Sequence, residues 1–442
     1  MALDVDTSFQ AYEVRSPAAG VFWARRRLVD SLALRFIQPL EERKNPALGP
    51  KLEAQLQLRL FQDFGDTCFV SEDLCVDATE VEQRGVYQPL ARNSLIDAPT
   101  AYLEVSRLFE KLRVRLGRQL YWDRTGFARV DGIRVQSETW RWLTIDTLGG
   151  VLVRDTSVAG SSAFVPQGIP RLRLNSEQQS RAPFVEKPTT TYFIGANLDA
   201  GEIRILRAGV AYRSLLENDG SATRLVGAGA VSQVFDPVLL DVNAVMDLFD
   251  AALVESRASS QLELDATTWA LSLQRHVPRF DWATIWAYFA SAPVWEESFS
   301  LSWRATSKIE VGGSLGSRHA RIDDQTDHDM GLDGHVSVGI GGYRFDLSAF
   351  GWTGSLGPVW GGDLSGERRL LSWLNIEALL SLWSVEQSLR SEIQGISISE
   401  TLSAKFRVTE NTSFLSELTH AHSDEIGHRF SFYAFLHMEV WR

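Results

Sequence analysis

Residues 429–442 read Arg-Phe-Ser-Phe-Tyr-Ala-Phe-Leu-His-Met-Glu-Val-Trp-Arg. Every second side chain of this stretch is apolar, and the apolar positions are Phe430, Phe432, Ala434, Leu436, Met438 and Val440. Because successive side chains of a β-strand point to opposite faces, the stretch predicts a strand with one continuous apolar face. The other face is largely polar, and the sequence stops one residue after Trp441.

The same period-two alternation returns throughout the chain. The clearest runs lie within residues 22–36, 52–60, 111–116, 299–305, 308–315, 335–340 and 396–408. Strands of soluble sheets usually have about five or six residues, whereas these runs are commonly longer. A strand that crosses a membrane as part of a barrel has about 9–11 residues, apolar toward lipid and polar toward the lumen. The pattern therefore favours a membrane barrel, with a soluble sandwich or propeller as the alternative.

Length and composition agree with a single all-β domain. The chain has 442 residues, and no linker rich in proline, glycine and serine divides it. No run of 18 apolar residues predicts a membrane-spanning helix. At roughly 25 residues per strand and connection, about 16–18 antiparallel strands are expected. Residues 1–442 are thus predicted to form one transmembrane β-barrel with a polar lumen, long extracellular loops and both termini on the periplasmic side.

Aromatic residues are expected to form girdles at the two membrane interfaces. The chain contains 14 Trp and 23 Phe residues. Several tryptophans fall near predicted strand ends, where girdles of a barrel lie. They are Trp122, Trp140, Trp142, Trp286, Trp295, Trp352, Trp360 and Trp383.

The connections are predicted to be unequal in length. Residues 16–20 and 109–111 have the composition of tight turns, whereas residues 64–98 form a long excursion that we assign to the extracellular side. Its two cysteines, Cys68 and Cys75, are too few for a zinc site, and we predict a local disulfide between them. Residues 241–258 fit either a strand with blurred alternation or an amphipathic helix that plugs the lumen, and the strand is the preferred interpretation.

Charge and the start of the chain bear on partners and location. The formal net charge is −12, which argues against nucleic acid as a partner. Six of the 44 basic residues are lysines, so arginine, which suits bidentate contacts with carboxylate or phosphate, dominates. The first residues include Asp4 and Asp6 and no apolar stretch, so no secretory signal peptide is expected in this sequence.

One part of the chain resembles a known group of barrels. Residues 113–119 read Arg-Val-Arg-Leu-Gly-Arg-Gln, and Gly126-Phe127 and then Asp131-Gly132-Ile133-Arg134-Val135 follow them. This order resembles a strand pair of porin-like and alginate-export-type outer-membrane barrels, over less than a tenth of the chain. The resemblance implies a closed barrel in the outer membrane of a Gram-negative bacterium, through which small solutes or an extended polysaccharide cross.

The C-terminal strand also resembles the terminal strand of outer-membrane proteins, which the barrel-assembly machinery reads. It departs from that pattern in one detail, because Arg442 rather than an aromatic residue comes last. The partners that these resemblances imply are the assembly machinery, outer-membrane lipid and lipopolysaccharide, together with small polar solutes or an acidic polysaccharide.

Alternation also predicts which side chains line the lumen. If leucine, valine and phenylalanine face lipid, a set of arginines faces inward as the predicted pore lining. The set comprises Arg25, Arg27, Arg35, Arg59, Arg113, Arg115, Arg118, Arg304 and Arg407, with Lys405 on the same face as Arg407. As a hypothesis, these groups form an anion-attracting constriction. The alternative is that they pair with inward acids such as Glu53, Glu310, Asp346 and Glu377 and only stiffen the wall.

The preferred function is passive passage of small polar solutes, including anionic ones, through an arginine-lined lumen. The alternatives are an export channel of the alginate-export type and a plugged, non-conducting structural barrel. We expect no catalytic residues, cofactor or metal. His420, His422, Asp424 and His428 could be assembled into a metal site, but they fall near a strand end and are interpreted as an interfacial or loop cluster.

Overall fold

In the computed structural model, the described residues are 2–16, 21–40, 49–63, 67–71, 74–77, 95–140, 142–153, 190–203, 205–217, 220–249, 251–277, 293–322, 325–354, 357–386, 394–423 and 427–441. Their regular secondary structure consists of 24 β-strands. None of them belongs to a helix that could span a membrane. The strands are β1 Ala2–Ser16, β2 Val21–Pro39, β3 Lys51–Asp63, β4 Thr67–Ser71, β5 Leu74–Asp77, β6 Leu95–Leu108, β7 Leu112–Asp123, β8 Gly126–Trp140, β9 Leu143–Leu152, β10 Tyr192–Ile203, β11 Leu206–Glu217, β12 Gly220–Phe235, β13 Val238–Asp247, β14 Ala252–Leu264, β15 Thr267–His276, β16 Val294–Thr306, β17 Ile309–Ile322, β18 Gln325–Ile340, β19 Tyr343–Thr353, β20 Val359–Leu371, β21 Leu374–Glu386, β22 Gln394–Arg407, β23 Thr412–Ser423 and β24 Gly427–Trp441.

Twenty-two of these strands form one closed antiparallel barrel. Each barrel strand pairs with the next along the chain, and β3 pairs directly with β6 because β4 and β5 form a short hairpin between them. The ring closes where β1 pairs with β24, with Ala11 opposite Phe432. The predicted all-β barrel is therefore confirmed.

The number of strands is larger than the expected 16–18. With 442 residues and 22 barrel strands, each strand and its connection take about 20 residues rather than about 25. Several connections have only two residues, which the sequence estimate did not allow for. Between β18 and β19 these are Gly341 and Gly342, whose φ angles of +60° and +85° suit the two central positions of a tight hairpin turn.

The two ends of the barrel differ in their connections. Both termini lie at one end, the turn end, where every connection except that of residues 40–50 has two to four residues. The opposite end, the loop end, carries the three longest connections, residues 64–94, 153–191 and 277–293. The two predicted tight turns lie at opposite ends, since residues 17–20 connect strands at the loop end and Phe109–Lys111 connect them at the turn end.

The predicted excursion over residues 64–98 is shorter than expected and contains regular structure. Strand β6 begins at Leu95, and the β4–β5 hairpin lies within the excursion. In that hairpin Cys68 pairs with Asp77 and Cys75 pairs with Val70, so the two cysteines are two residues out of register. Such diagonal positions are about 7–8 Å apart, which is wider than a disulfide normally spans. The predicted disulfide is therefore not supported; the cysteine side chains lie outside the described part of the chain.

The outer face of the barrel is apolar. Leu332 of β18 and Leu402 of β22 expose 64% and 54% of their surface, and large apolar side chains recur at every second position of most strands. Among the predicted girdle tryptophans, Trp122, Trp142, Trp295 and Trp360 are exposed near strand ends. Trp352 and Trp383 instead have the parity of the inner face, opposite Gly331 and Gly361. The side chains of Trp140 and Trp286 lie outside the described residues.

Candidate functional site

A basic concavity lies on the inner wall at the turn end. It has a volume of about 460 Å³ and is lined by side chains of β2, β3, β6 and β7. Five of its lining residues are cationic and two are carboxylates, and the cationic set is Arg35, Lys51, Arg107, Arg113 and Arg115. The excess of cations makes this part of the wall attractive to an anionic group.

One carboxylate of the concavity is held by Arg35 and Tyr102. Arg35 donates from Nε and Nη2 to the two oxygens of Glu53, at 3.0 and 2.9 Å. The Tyr102 hydroxyl donates to Gln55 at 2.6 Å and lies 3.3 Å from Glu53 Oε1. The bidentate geometry fixes the plane of the Arg35 guanidinium, although 53% of its side chain stays exposed.

The second carboxylate, Glu104, is shared between two arginines. Arg115 donates from Nε to Glu104 at 2.8 Å, and Arg113 Nε lies 3.3 Å from the other oxygen. Glu104 is almost fully buried, whereas Arg113 exposes 47% of its side chain. The Arg115 guanidinium also lies 4.0 Å from the centroid of the Tyr102 ring. One carboxylate therefore orders two guanidinium groups, and the pair keeps a net positive charge that faces the lumen.

A second basic concavity lies at the same end on β19 to β22. Its volume is about 400 Å³, and strands β23, β24 and β1 separate it from the first. Four cationic residues and one carboxylate, Glu367, line it, and the cations are Arg344, Arg369, Lys405 and Arg407. Glu367 accepts a hydrogen bond from the Asn375 amide. Both basic concavities thus lie at the turn end of the lumen.

Taken over the whole length of β16 to β21, the opposite wall is more acidic than the two concavities. Among the described side chains of β16 to β21, strand parity places eight carboxylates and four arginines on the inner face. The carboxylates are Glu296, Glu310, Asp329, Asp333, Asp346, Asp363, Glu367 and Glu377, and the arginines are Arg304, Arg318, Arg344 and Arg369. Positive charge is therefore concentrated at particular places on the wall and is not spread around it.

The end of the β7–β8 hairpin turns into the lumen. Arg124, in the turn, lies 3.5 Å from Asp199 of β10 and contacts the inner faces of β11 and β12, the third and fourth strands beyond β8. Gly227 and Gly229 make this approach possible, since a Cβ atom at Gly229 would lie 2.5 Å from Arg124 Nη1. The hairpin end occupies space inside the barrel and narrows the lumen.

A buried ion pair holds this hairpin end in place. Arg213 of β11 lies 3.1 Å from Asp123 of β7, and their side chains are 8% and 0% exposed. Arg213 also donates to the carbonyl oxygens of Gly126 and Phe127, at 2.6 and 3.2 Å. The Asp123 carboxylate accepts bonds from the backbone and hydroxyl of Thr125, at 2.7 and 2.5 Å. One arginine therefore satisfies three acceptors of the hairpin end.

An apolar cluster lies beside the ion pair. Its buried members are Tyr121, Ala128, Val130, Leu148 and Phe193, which belong to strands β7 to β10. Tyr121 and Phe193 are fully buried, and their rings meet edge to face with centroids 5.6 Å apart. Burial of an apolar ring such as that of Phe193 contributes about 1.5–3 kcal/mol. Packing and charge together anchor the hairpin end against the inner wall.

The structure brings together only part of the predicted pore lining. Arg35, Arg113 and Arg115 meet in the first basic concavity, and Arg407 lies in the second. Arg59 is on the inner face of β3 opposite Asp97, and Arg304 is on the inner face of β16 opposite Glu310. The side chains of Arg25 and Arg27 lie outside the described residues.

Arg118 was predicted to line the pore, but it does not lie on the inner face of β7. An uninterrupted β7–β8 register places Arg118 on the strand face of Leu116 and Leu120, opposite to that of Arg113 and Arg115. It is 6% exposed and donates to both oxygens of Asp131 at 2.7 Å. This arginine therefore does not share the inner face of β7 with the arginines of the basic concavity.

Several residues of the site escaped sequence reasoning. Asp123, Arg124 and Arg213 were not singled out, because their partners are distant along the chain. The alternation Gly227-Ala228-Gly229 was a usable signal, since it places two residues without side chains on one strand face. Asp424, proposed for the histidine cluster, lies outside the described residues.

Comparisons with known proteins bear on the fold. The sequence matches no family model and no curated protein. The siderophore receptor PirA from Pseudomonas aeruginosa has a TM-score of 0.51 and 11% identity, over 99% of this chain and 80% of that one. OccK9 (OpdG) of the same organism has a TM-score of 0.46 and 10% identity, over 99% and 98%. OccAB1 of Acinetobacter baumannii has a TM-score of 0.43 and 9% identity, over 99% and 95%. At these identities the likeness concerns the fold alone, and it is the fold of outer-membrane β-barrels.

Proposed function

We propose that this chain is a porin-like outer-membrane channel for passive passage of small polar solutes, with the basic concavities of the lumen holding their anionic groups. The observation that carries the proposal is the imbalance of charge in the first concavity. Five cationic side chains but only two carboxylates line it, and the concavity is open to the lumen. An ion-pair network that only stiffened the wall would need no such excess.

The two faces of the barrel wall and the position of the chain termini support this function. Its outer face carries exposed leucines and girdle tryptophans, as a lipid-facing surface requires, while its inner face is polar. The termini lie with the short turns, which corresponds to the periplasmic side of such barrels. We accordingly propose a Gram-negative outer membrane as its location, with lipid and lipopolysaccharide around it, and we expect its C-terminal strand to engage the assembly machinery. We expect no enzymatic activity.

The test is single-channel recording of the detergent-purified protein in planar bilayers under a salt gradient. The double variant Arg113→Ala/Arg115→Ala removes two cations that share Glu104. Channel conductance is expected, and the reversal potential should move toward cation preference in the variant. A matched control is Arg318→Ala on the opposite wall, whose partner Glu296 lies 2.9 Å away. Its removal should shift the reversal potential less, because it takes one charge from an acid-rich wall.

The outcomes separate the alternatives. Silent bilayers from folded, heat-modifiable protein would refute the open channel and favour a plugged structural barrel. An open channel whose current is blocked by an acidic polysaccharide, but which passes no small anions, would favour export of the alginate-export type. An equal shift in the double variant and in Arg318→Ala would refute a specific role for the basic concavity.

A further inference from the structure

Three histidines meet on the outer face of the barrel at the loop end. His420 and His422 are two residues apart on β23 and therefore share a face, which is the face of the exposed Leu418. His428 of β24 is the direct cross-strand partner of His422. Two histidines at i and i+2 on one strand and a third on the neighbouring strand place three imidazoles within reach of a common point.

A carboxylate orders one of these imidazoles. Glu400 of β22 is the cross-strand partner of His420, and its Oε2 lies 3.0 Å from His420 Nδ1. The His420 ring is also stacked on Phe430, with centroids 4.5 Å apart. When Nδ1 donates its hydrogen to Glu400, Nε2 of His420 has a lone pair that can accept a hydrogen bond or bind a metal ion. Metal-ligating histidines usually have such a carboxylate behind the ring.

Nε2 of His420 makes a hydrogen bond with a second imidazole. His420 Nε2 and His428 Nδ1 are 3.1 Å apart. Two imidazole nitrogens bound to one tetrahedral zinc ion at about 2.0–2.1 Å lie about 3.3 Å from each other. The observed spacing is therefore close to that of two ligands of one ion. The ion would replace the proton that the two nitrogens share, and both rings, whose centroids are 5.3 Å apart, would turn toward it.

The third histidine is close but turned. The His422 ring stacks on His428 with centroids 4.4 Å apart, and its Nδ1 is buried without a hydrogen-bond partner among the described residues. As they stand, the described side chains contain no group of three that already has metal-ligating geometry. A turn of the His422 ring out of its stack would direct a nitrogen toward the other two and give its buried atom a partner.

We propose that His420, His422 and His428 bind a divalent transition-metal ion, with zinc as the best fit, and that Glu400 positions His420. Three neutral imidazoles suit zinc and leave a fourth position for water or an oxygen ligand. The site lies on the outer face, at the level where the strands end, and is separate from the lumen. It does not depend on the proposed channel function.

The barrel offers a matched control. His319 of β17 and His328 of β18 are also cross-strand partners at the loop end, with their Nδ1 atoms 2.6 Å apart. Strand parity places them on the outer face with Leu315 and Met330, and Ser317 is the neighbour of His319 Nε2 at 3.2 Å. No third histidine and no carboxylate joins this pair among the described contacts, so it tests whether any two neighbouring histidines suffice.

The experiment is zinc titration of the full chain, folded in detergent and stripped with chelator, against a chromophoric competitor, with cobalt absorption as a second readout. We expect one tight equivalent, a tetrahedral cobalt spectrum, and at least tenfold weaker binding in His428→Ala and in His422→Ala. Glu400→Gln should weaken binding by about 10–100-fold while the ligands stay in place. His319→Ala should leave the tight equivalent unchanged.

Several results would overturn the proposal. One is a wild-type affinity no greater than that of the variant lacking all three histidines. Another is unchanged binding in His422→Ala, which would leave only an adventitious pair of histidines. A third is an equal loss in His319→Ala and His428→Ala. Heat-modifiable migration on gels establishes that each variant is folded before titration, so that loss of binding reports on the site.

Discussion

Replacing Arg213 by methionine tests the anchoring of the hairpin end inside the barrel. The change keeps much of the side-chain volume and removes the charge that faces Asp123 at 3.1 Å. Asp123 would stay wholly buried, and its Oδ2 already lacks a hydrogen-bond partner among the described residues. Removing one partner of a buried ion pair costs about 3–5 kcal/mol. We expect the lower part of that range, because Thr125 continues to donate two hydrogen bonds to the carboxylate.

The assay is urea unfolding of the protein in lipid vesicles, followed by tryptophan fluorescence. A matched variant, Arg344→Met, removes an arginine that lies 3.2 Å from Asp346 but exposes 64% of its side chain. Exposed pairs contribute about 0–1 kcal/mol, so the control should lose little stability. If the hairpin end detaches without global unfolding, trypsin should cleave after Arg124 in Arg213→Met and spare the wild type.

The double variant Arg213→Met/Asp123→Asn tests whether the unpaired charge of Asp123 causes the loss of stability. Neutralising Asp123 removes the uncompensated buried charge, so the double variant should be more stable than Arg213→Met alone. Equal stability losses in Arg213→Met and Arg344→Met, together with unchanged trypsin resistance, would show that the ion pair does not anchor the hairpin.

Three further predictions concern the lumen and the outer face. Gly229→Leu should displace Arg124, whose Nη1 would lie 2.5 Å from the new Cβ atom, and should thereby raise single-channel conductance. Gly149→Leu should leave the conductance unchanged, because a Cβ atom added at Gly149 has no neighbouring atom within 4 Å. Leu332→Arg places a charge on the outer face and should lower the unfolding free energy in vesicles by about 2–4 kcal/mol. Asp333→Arg, on the inner face, should lower it less. The reverse order of the two losses would mean that the faces are misassigned. Raising the salt from about 0.1 to about 1 M shortens the screening length from about 10 to about 3 Å, so the reversal-potential difference between wild type and Arg113→Ala/Arg115→Ala should shrink, and a constant difference would contradict an electrostatic origin.

The fold was predictable where alternation is clean. Residues 52–60 lie in β3 and residues 396–407 in β22, each with the faces that the sequence pattern assigned. The preference for strand over helix in residues 241–258 was correct, but the segment holds the end of β13, a turn and the start of β14. Apolar residues near that turn hide the break, since Leu248 and Phe249 continue the hydrophobic pattern across it. Hairpin turns hidden in this way explain why the sequence predicted 16–18 strands and not the 22 of the barrel.

The candidate site was only partly predictable. Arg113 and Arg115 share a strand face with each other, so period-two reasoning placed them together. Their sharing of Glu104 depends on the register between β6 and β7, and the pairing of Asp123 with Arg213 joins residues 90 apart in sequence. Alternation carries no information about which strands lie beside each other inside a ring, or about a hairpin end that leaves the wall.

The pairing of β1 with β24 has a consequence for the order of assembly. Every other pair of neighbouring barrel strands is also consecutive, or nearly so, along the chain. The β1–β24 pair instead brings Leu3 beside Trp441. Bringing together ends more than 400 residues apart costs roughly 3 kcal/mol more chain entropy than closing a 20-residue hairpin. The seam should therefore form last, and until it does β1 and β24 present two open edges that could pair with another unfinished chain. Assembly of this barrel should therefore benefit more from a factor that shields these two edges than from one that accelerates hairpin formation.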